Sequence, residues 1–311
     1  MHILMPCRSR VQPLRTCREI LEKRGVSCTL YPYTSADKLR RTIRSAQYDL
    51  LLTAESAVLP RKTALSVPTV YLGTDFFCTD AHLPSGCDAY WIAQEELAFD
   101  FMTHGAQEKR VHVCGVPLRE IYLRKQTRSA ACRALGVGDD ATVFSFLTDG
   151  VSPNEIKAAV HACGDLCPDA TLLLWSTDGA RRSMWQTMFA DLGNVYVPDA
   201  DDPVPIALAA CDVLFTAAFP EPVCGAARMG KNLILLHAPS PRLRRNAAFL
   251  DAHGIAFCGK TAADNVSYAC RLFSSVRLQQ NMRAAQEKYI IRDAEQRLES
   301  LVRDAQQRKK E

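Results

Sequence analysis

The chain lacks any stretch approaching the roughly 18 to 20 consecutive apolar residues that a membrane-spanning helix needs. Its first residues, Met1-His2-Ile3-Leu4-Met5-Pro6, have neither a cationic start nor an apolar segment of secretory length. Cys-x-x-Cys does not occur among the 13 cysteines, whose closest pair is Cys163 and Cys167. The tandem ligand pairs of a structural zinc site are therefore missing. An odd number of scattered thiols, most of them within apolar runs, leads to the expectation that they are reduced and structural, in a reducing compartment. Excess charge is also absent. The formal net charge is +4, and the basic residues are dispersed without interleaved aromatics, which argues against nucleic acid as a partner.

What is present is ordinary globular composition. Of the 311 residues, 48% are hydrophobic and 23% charged, which excludes collagenous, coiled-coil and wholly disordered chains. Short apolar runs recur with room for a helix between them. The first series of expected strands is Ile3–Met5, Ser27–Tyr31, Asp49–Thr53, Thr69–Leu72, Ala89–Ala93 and Val111–Cys114. The second is Thr142–Phe146, Thr171–Trp175, Val195–Val197, Val213–Thr216, Asn232–His237 and Ile255–Phe257. Helical periodicity fills many of the gaps, as in Leu14–Arg24, Glu95–His104 and Asn154–Cys163.

Repeated strand–helix alternation predicts parallel sheets covered on both faces. Because it occurs twice, the expected fold class is α/β, with two Rossmann-like doubly wound domains facing across a cleft. Leu118–Leu135 reads as one helix followed by a turn, so the domains are expected to span residues 1–137 and 138–275. Residues 276–311 read as a long polar helix, Val276–Gln307, packing back on the N-terminal domain. Loops and helix N-termini converge at the carboxyl ends of parallel strands, so the ligand is expected there. Trp91 and Trp175 end expected strands and read as core.

Three motifs in sequence order are more specific. Thr74-Asp75-Phe76 ends one strand, Asp88-Ala89-Tyr90-Trp91-Ile92-Ala93 runs through a second, and Gly115-Val116-Pro117 closes a third. This set resembles the diacylglycerol glycosyltransferases of the monogalactosyldiacylglycerol synthase type, including the processive diacylglycerol glucosyltransferases. These are relatives of the lipid-II glycosyltransferase with the GT-B fold. The resemblance implies transfer of a hexose from a UDP-sugar, as co-substrate, to a lipid hydroxyl, without metal or other cofactor. The missing spanning segment and secretory start lead to the expectation of a cytoplasmic chain, with peripheral attachment to the inner face of the membrane as an open alternative.

Carried residue by residue, the resemblance makes Asp75 the candidate base, with His82, seven residues later, as a second candidate for that role. Thr148, Asp149 and Gly150 fall in the phosphate loop, and Val197 and Pro198 in the loop flanking the base. Pro220, Glu221, Pro222, Val223 and Cys224 open the donor helix. Arg242, Arg244, Arg245 and Asn246 lie in a later donor segment, where the arginines either neutralise a pyrophosphate or form a solvated basic face.

Several family features are altered. The first loop, Pro6-Cys7-Arg8-Ser9-Arg10-Val11-Gln12-Pro13, has neither the expected glycines nor the histidine. Gly225 stands where a ribose-binding glutamate is expected, and the N-terminal domain is short. Two further readings therefore stay open. One is a catalytically inactive GT-B homologue retained for nucleotide-sugar binding or regulation, and the other is a glycosyltransferase with a soluble acceptor.

Overall fold

A computed structural model describes all residues except 10, 60–64, 79–86, 125, 199–203 and 308–311. The chain divides into two compact units, Met1–Arg119 with Ile291–Glu311, and Glu120–Ile290.

The first unit is built on a six-stranded parallel sheet of order β2-β1-β3-β4-β5-β6. Its strands are β1 (His2–Cys7), β2 (Ser27–Pro32), β3 (Leu50–Thr53), β4 (Thr69–Gly73), β5 (Ala89–Ile92) and β6 (Val111–Val113). Side chains alternate across a strand, so Ile3 and Met5 share one core with Leu14, Cys17 and Trp91. Leu4 faces the other core, with Leu39, Ile43 and Tyr48. The helices covering these faces are α1 (Val11–Glu22) and α2 (Ala36–Ser45), with α3 (Leu97–Thr103) following β5. Ser35 caps α2 by accepting from the Lys38 N–H.

The second unit carries a five-stranded parallel sheet of order β11-β10-β7-β8-β9. Its strands are β7 (Val143–Leu147), β8 (Thr171–Trp175), β9 (Val195–Tyr196), β10 (Val213–Thr216) and β11 (Asn232–Leu235). The helices are α4 (Arg128–Leu135), α5 (Pro153–Leu166), α6 (Gly179–Met188), α7 (Val204–Ala210), α8 (Pro220–Arg228), α9 (Pro241–Ala252), α10 (Ala262–Ser274) and α11 (Val276–Tyr289). Phe146 and Phe215 stack at 4.4 Å between adjacent strands, and Trp91 and Trp175 are both buried. The two doubly wound parallel sheets expected from the strand–helix alternation are thus present. Ile255–Phe257 contributes only a single parallel bridge, Phe257 to Ile234.

Three expectations of organisation differ from the structure. Leu118–Leu135 is not one helix but a 3₁₀ turn at Glu120–Tyr122 followed by α4, which starts only where Thr127 caps it. The units divide at Arg119/Glu120 rather than near 138, because α4 is tied to the second sheet by Arg128, 3.2 Å from the Asp212 carboxylate. Val276–Gln307 is likewise two helices, α11 and α12 (Ala294–Gln307), interrupted at the second unit boundary. Met282 and Gln286 bury α11 in the second unit, where Gln286 donates to the carbonyls of Lys231 and Ile255. Only α12 returns to the first unit, inserting Leu298 and Val302 into its core.

The cysteine expectation also needs correction. Cys167, at the C-cap of α5, is joined in a disulfide to Cys270 of α10. The other eleven are thiols outside that disulfide, and all but Cys258 are buried. Helices α5 and α10 lie side by side, which brings together two positions 103 residues apart.

Thiol counting checks this arrangement. Denatured without reductant, the protein should release eleven titratable thiols, and with reductant all 13. Burial also pushes the thiols of Cys28, Cys87, Cys114 and Cys163 up from 9.0 to about 12. The fold therefore favours the neutral thiol. The resulting stability is fully present below pH 9.0 and is lost as the pH rises from there towards about 12. Denaturant midpoints measured under reducing conditions should accordingly decline across that alkaline range, and a flat profile would contradict the buried-thiol assignment.

Candidate functional site

In an open parallel sheet the ligand crevice forms where strand order reverses, at the carboxyl ends of the two strands concerned. In the first unit these are β1 and β3, and in the second β7 and β10. The two crevices differ in chemistry.

At the first, the chain leaves β1 through Arg8 and Ser9, and both of their N–H groups donate to the same oxygen of Glu55, at 2.9 Å each. The Ser9 hydroxyl reaches the other carboxylate oxygen at 3.4 Å. Glu55 follows β3 and is buried, and its own N–H donates to the Thr53 hydroxyl at 3.1 Å. Successive N–H groups in a turn form an anion-binding concavity. Here the protein's own carboxylate occupies it.

Asp75 lies on the same rim, buried just beyond β4. Gly73 stands opposite Ile92 in the β4–β5 register, so Asp75 and Gln94 each lie two residues past that pair. Gln94 is buried, and its carboxamide oxygen accepts from the Glu96 N–H at 2.7 Å. His82 lies outside the described residues.

At the second crevice, Gly150 has φ +75°, a conformation that side chains rarely adopt. A Cβ there would also come within 2.5 Å of the Phe219 ring. The loops after β7 and β10 are thereby pressed together. Thr148 is fully buried and its hydroxyl is committed, donating to the Trp175 carbonyl at 2.9 Å and accepting from the Trp185 indole at 3.1 Å. Asp149 turns sideways onto the loop after β8, accepting from the Thr177 N–H at 3.0 Å and from the Ser176 and Thr177 hydroxyls. Arg181 braces the loop from α6, donating to the carbonyls of Thr148 and Val151 at 2.6 and 2.9 Å.

Helix α8 begins at Pro220. Proline has no N–H. With Pro220 and Pro222 in the first turn, Glu221 alone among the first three positions offers a backbone donor. The Phe219 N–H is taken by the Ala217 carbonyl at 2.7 Å, and that of Val223 by the Phe219 carbonyl at 3.2 Å. Val223 and Cys224 are buried, so their side chains face the core. Gly225 sits against Tyr122, whose ring would lie 2.3 Å from a Cβ at that position. There is no room there for the glutamate that the resemblance leads one to expect.

Further along the rim, Asn246 is fully buried and donates to the Ala218 carbonyl at 3.2 Å, fastening α9 to the loop after β10. The Arg244 guanidinium donates to the carbonyls of Ala238 and Pro239, while Arg242 and Arg245 share the first turns of the same helix. Val197 and Pro198 follow the edge strand β9, with β8 between it and β7. The Val197 carbonyl accepts from Gln186 at 3.3 Å.

The loops after β7, β10 and β11 are thus drawn together; the sequence-derived candidates Thr148–Gly150 fall on the first of them, and Pro220–Cys224 and Arg242–Asn246 on the opening turns of the helices that follow the other two. Residues that sequence reasoning missed are Glu55, Gln94, Arg181, Glu155 and His237. Glu155 and His237 form a pair at 3.0 Å across two of these loops. Glu155, three residues past the capping Ser152, and His237, just past a strand of apolar residues, are the signals that could have drawn attention to them.

The family model described as monogalactosyldiacylglycerol (MGDG) synthase matches residues 18–118. No curated protein matches the chain in sequence. Among solved structures, HepE (Alr3699) of Anabaena, in complex with UDP and glucose, is similar at TM-score 0.62 and 16% identity, over 97% of this chain and 98% of that one. MurG of Acinetobacter baumannii is similar at TM-score 0.66 and 12% identity, over 97% and 99%. The UDP-GlcNAc 2-epimerase of Neisseria meningitidis, bound to UDP-GlcNAc, is similar at TM-score 0.65 and 11% identity, over 99% and 100%. Likeness at these identities is likeness of fold, and the fold is GT-B.

The contact at Gly225 yields a stability test. Gly225→Ala should cost about 1–3 kcal/mol through overpacking. Combined with Tyr122→Ala, it should cost clearly less than the sum of the two single changes, as urea unfolding of all four proteins would measure.

Proposed function

From the GT-B fold of the chain and the MGDG synthase match over residues 18–118, we propose that this protein is a glycosyltransferase moving a hexose from a UDP-sugar to the hydroxyl of a diacylglycerol-type lipid. That match is the observation on which the acceptor class rests. The donor is assigned to the second unit. In the first, the switch-point N–H groups already hold Glu55, and a phosphate would have to displace a buried carboxylate.

In the proposed reaction the acceptor oxygen bonds to the anomeric carbon while the bond from that carbon to the β-phosphate oxygen breaks, and the electron pair leaves with UDP. Asp75 takes the hydroxyl proton. The loops at Gly150 and α8 receive the diphosphate, and Val197 and Pro198 flank the uracil. No helix among the described residues is long and apolar enough to cross a membrane, so a lipid acceptor would be met at the membrane surface.

A second reading, nucleotide-sugar binding without transfer, is favoured by the Tyr122 ring against Gly225 and by the two prolines in the first turn of α8. Incubation with UDP-glucose or UDP-galactose and diacylglycerol separates the two. Under the first reading a glycolipid forms, and Asp75→Asn lowers its rate by about 10²- to 10⁴-fold. UDP binding by calorimetry with no product, from lipid or soluble acceptors, would establish the second. Absence of both would remove the donor assignment itself.

A further inference from the structure

A diphosphate at the rim of the second sheet needs positive charge or hydrogen-bond donors, and several of the groups placed to give them donate to the protein's own carbonyls instead. The first three residues of α8 offer one backbone N–H, that of Glu221. Arg181 is spent on the carbonyls of Thr148 and Val151, and Arg182 donates to the Ser176 carbonyl at 3.0 Å. Arg244 is turned to the carbonyls that precede its own helix.

His237 is placed differently. It lies between β11 and α9, with its Nδ1 3.0 Å from Oε1 of Glu155 and its backbone N–H 3.4 Å from the same oxygen. Glu155 stands in the first turn of α5, directly after the β7 loop, and its side chain is 18% exposed against 40% for the histidine. The ring is therefore held through one nitrogen by a half-buried carboxylate, and Nε2 is its second hydrogen-bonding atom. An imidazole held between a carboxylate and an anionic ligand donates from both nitrogens. The partner fixes the orientation of the ring, as a second group does for a histidine that binds or reacts.

We infer that His237, oriented by Glu155, donates a hydrogen bond from Nε2 to a phosphate oxygen of the nucleotide, supplying what the proline-bearing start of α8 withholds. This rests on the donor assignment above. His237 is the ligand-contacting group and Glu155 a positioning residue.

Calorimetry with UDP on the full chain tests it, alongside uridine binding read by saturation-transfer NMR. His237→Ala should weaken UDP binding about tenfold and leave both uridine binding and the thermal midpoint unchanged. Glu155→Ala should weaken UDP to a similar extent, Glu155→Gln, which keeps an acceptor for Nδ1, should recover part of it, and H237A/E155A should be no weaker than H237A alone. UDP affinity of H237A within about twofold of the parent, or a parallel loss of uridine, would overturn the inference while leaving the donor assignment standing. Failure of the unaltered protein to bind UDP would take down both.

Discussion

A buried carboxylate must be hydrogen-bonded, and at the first switch point Glu55 meets that demand by taking the N–H groups of Arg8 and Ser9. This interaction distinguishes the first switch point from the second, although both sheets are parallel and doubly wound. The concavity that a parallel strand makes with its following helix attracts anions in both units. In the first it is filled from within, so the turn after β1 is a closed structural joint rather than a phosphate cradle. The absence of glycine from Pro6–Pro13 fits that role, since no ligand has to approach the backbone there.

The second rim is held by ties between side chains and backbone carbonyls. Asn246 reaches Ala218, Arg181 reaches Thr148 and Val151, and Phe219 fills the space beside Gly150. Most of these ties consume donors that a ligand might use. Side-chain donors that hold the protein's own carbonyls, as those of Arg181 and Arg244 do, are not offered to a ligand, and this is the reason that a histidine held by a carboxylate carries weight in the proposed donor site.

Much of the fold was legible in the sequence because strands covered on both faces leave an unmistakable mark: Leu50–Leu52 and Leu233–Leu235 can only be buried. Positions on the rim were legible too, since a residue just past such a run falls at the carboxyl edge, as Asp75 and Thr148 do. What could not be read depended on contacts remote in sequence. The carboxylate of Glu55 works 47 residues from Arg8, His237 pairs with a residue 82 positions away, and Cys167 with one 103 away. Nor does the polar run Val276–Gln307 show where it breaks, because both halves have helical periodicity and the interruption follows from each half burying its stripe in a different unit.

The return of α12 has a consequence for how the chain is made. Leu298 and Val302 complete the core around β1 and α1, so the sheet that is synthesised before the second unit stays unsealed until after that unit has been made. The unit spanning Glu120–Ile290 is continuous in sequence and can close on itself earlier. Domains usually mature in the order in which they leave the ribosome; here the order of birth and the order of completion run in opposite directions, and the nascent first sheet waits for its final helix.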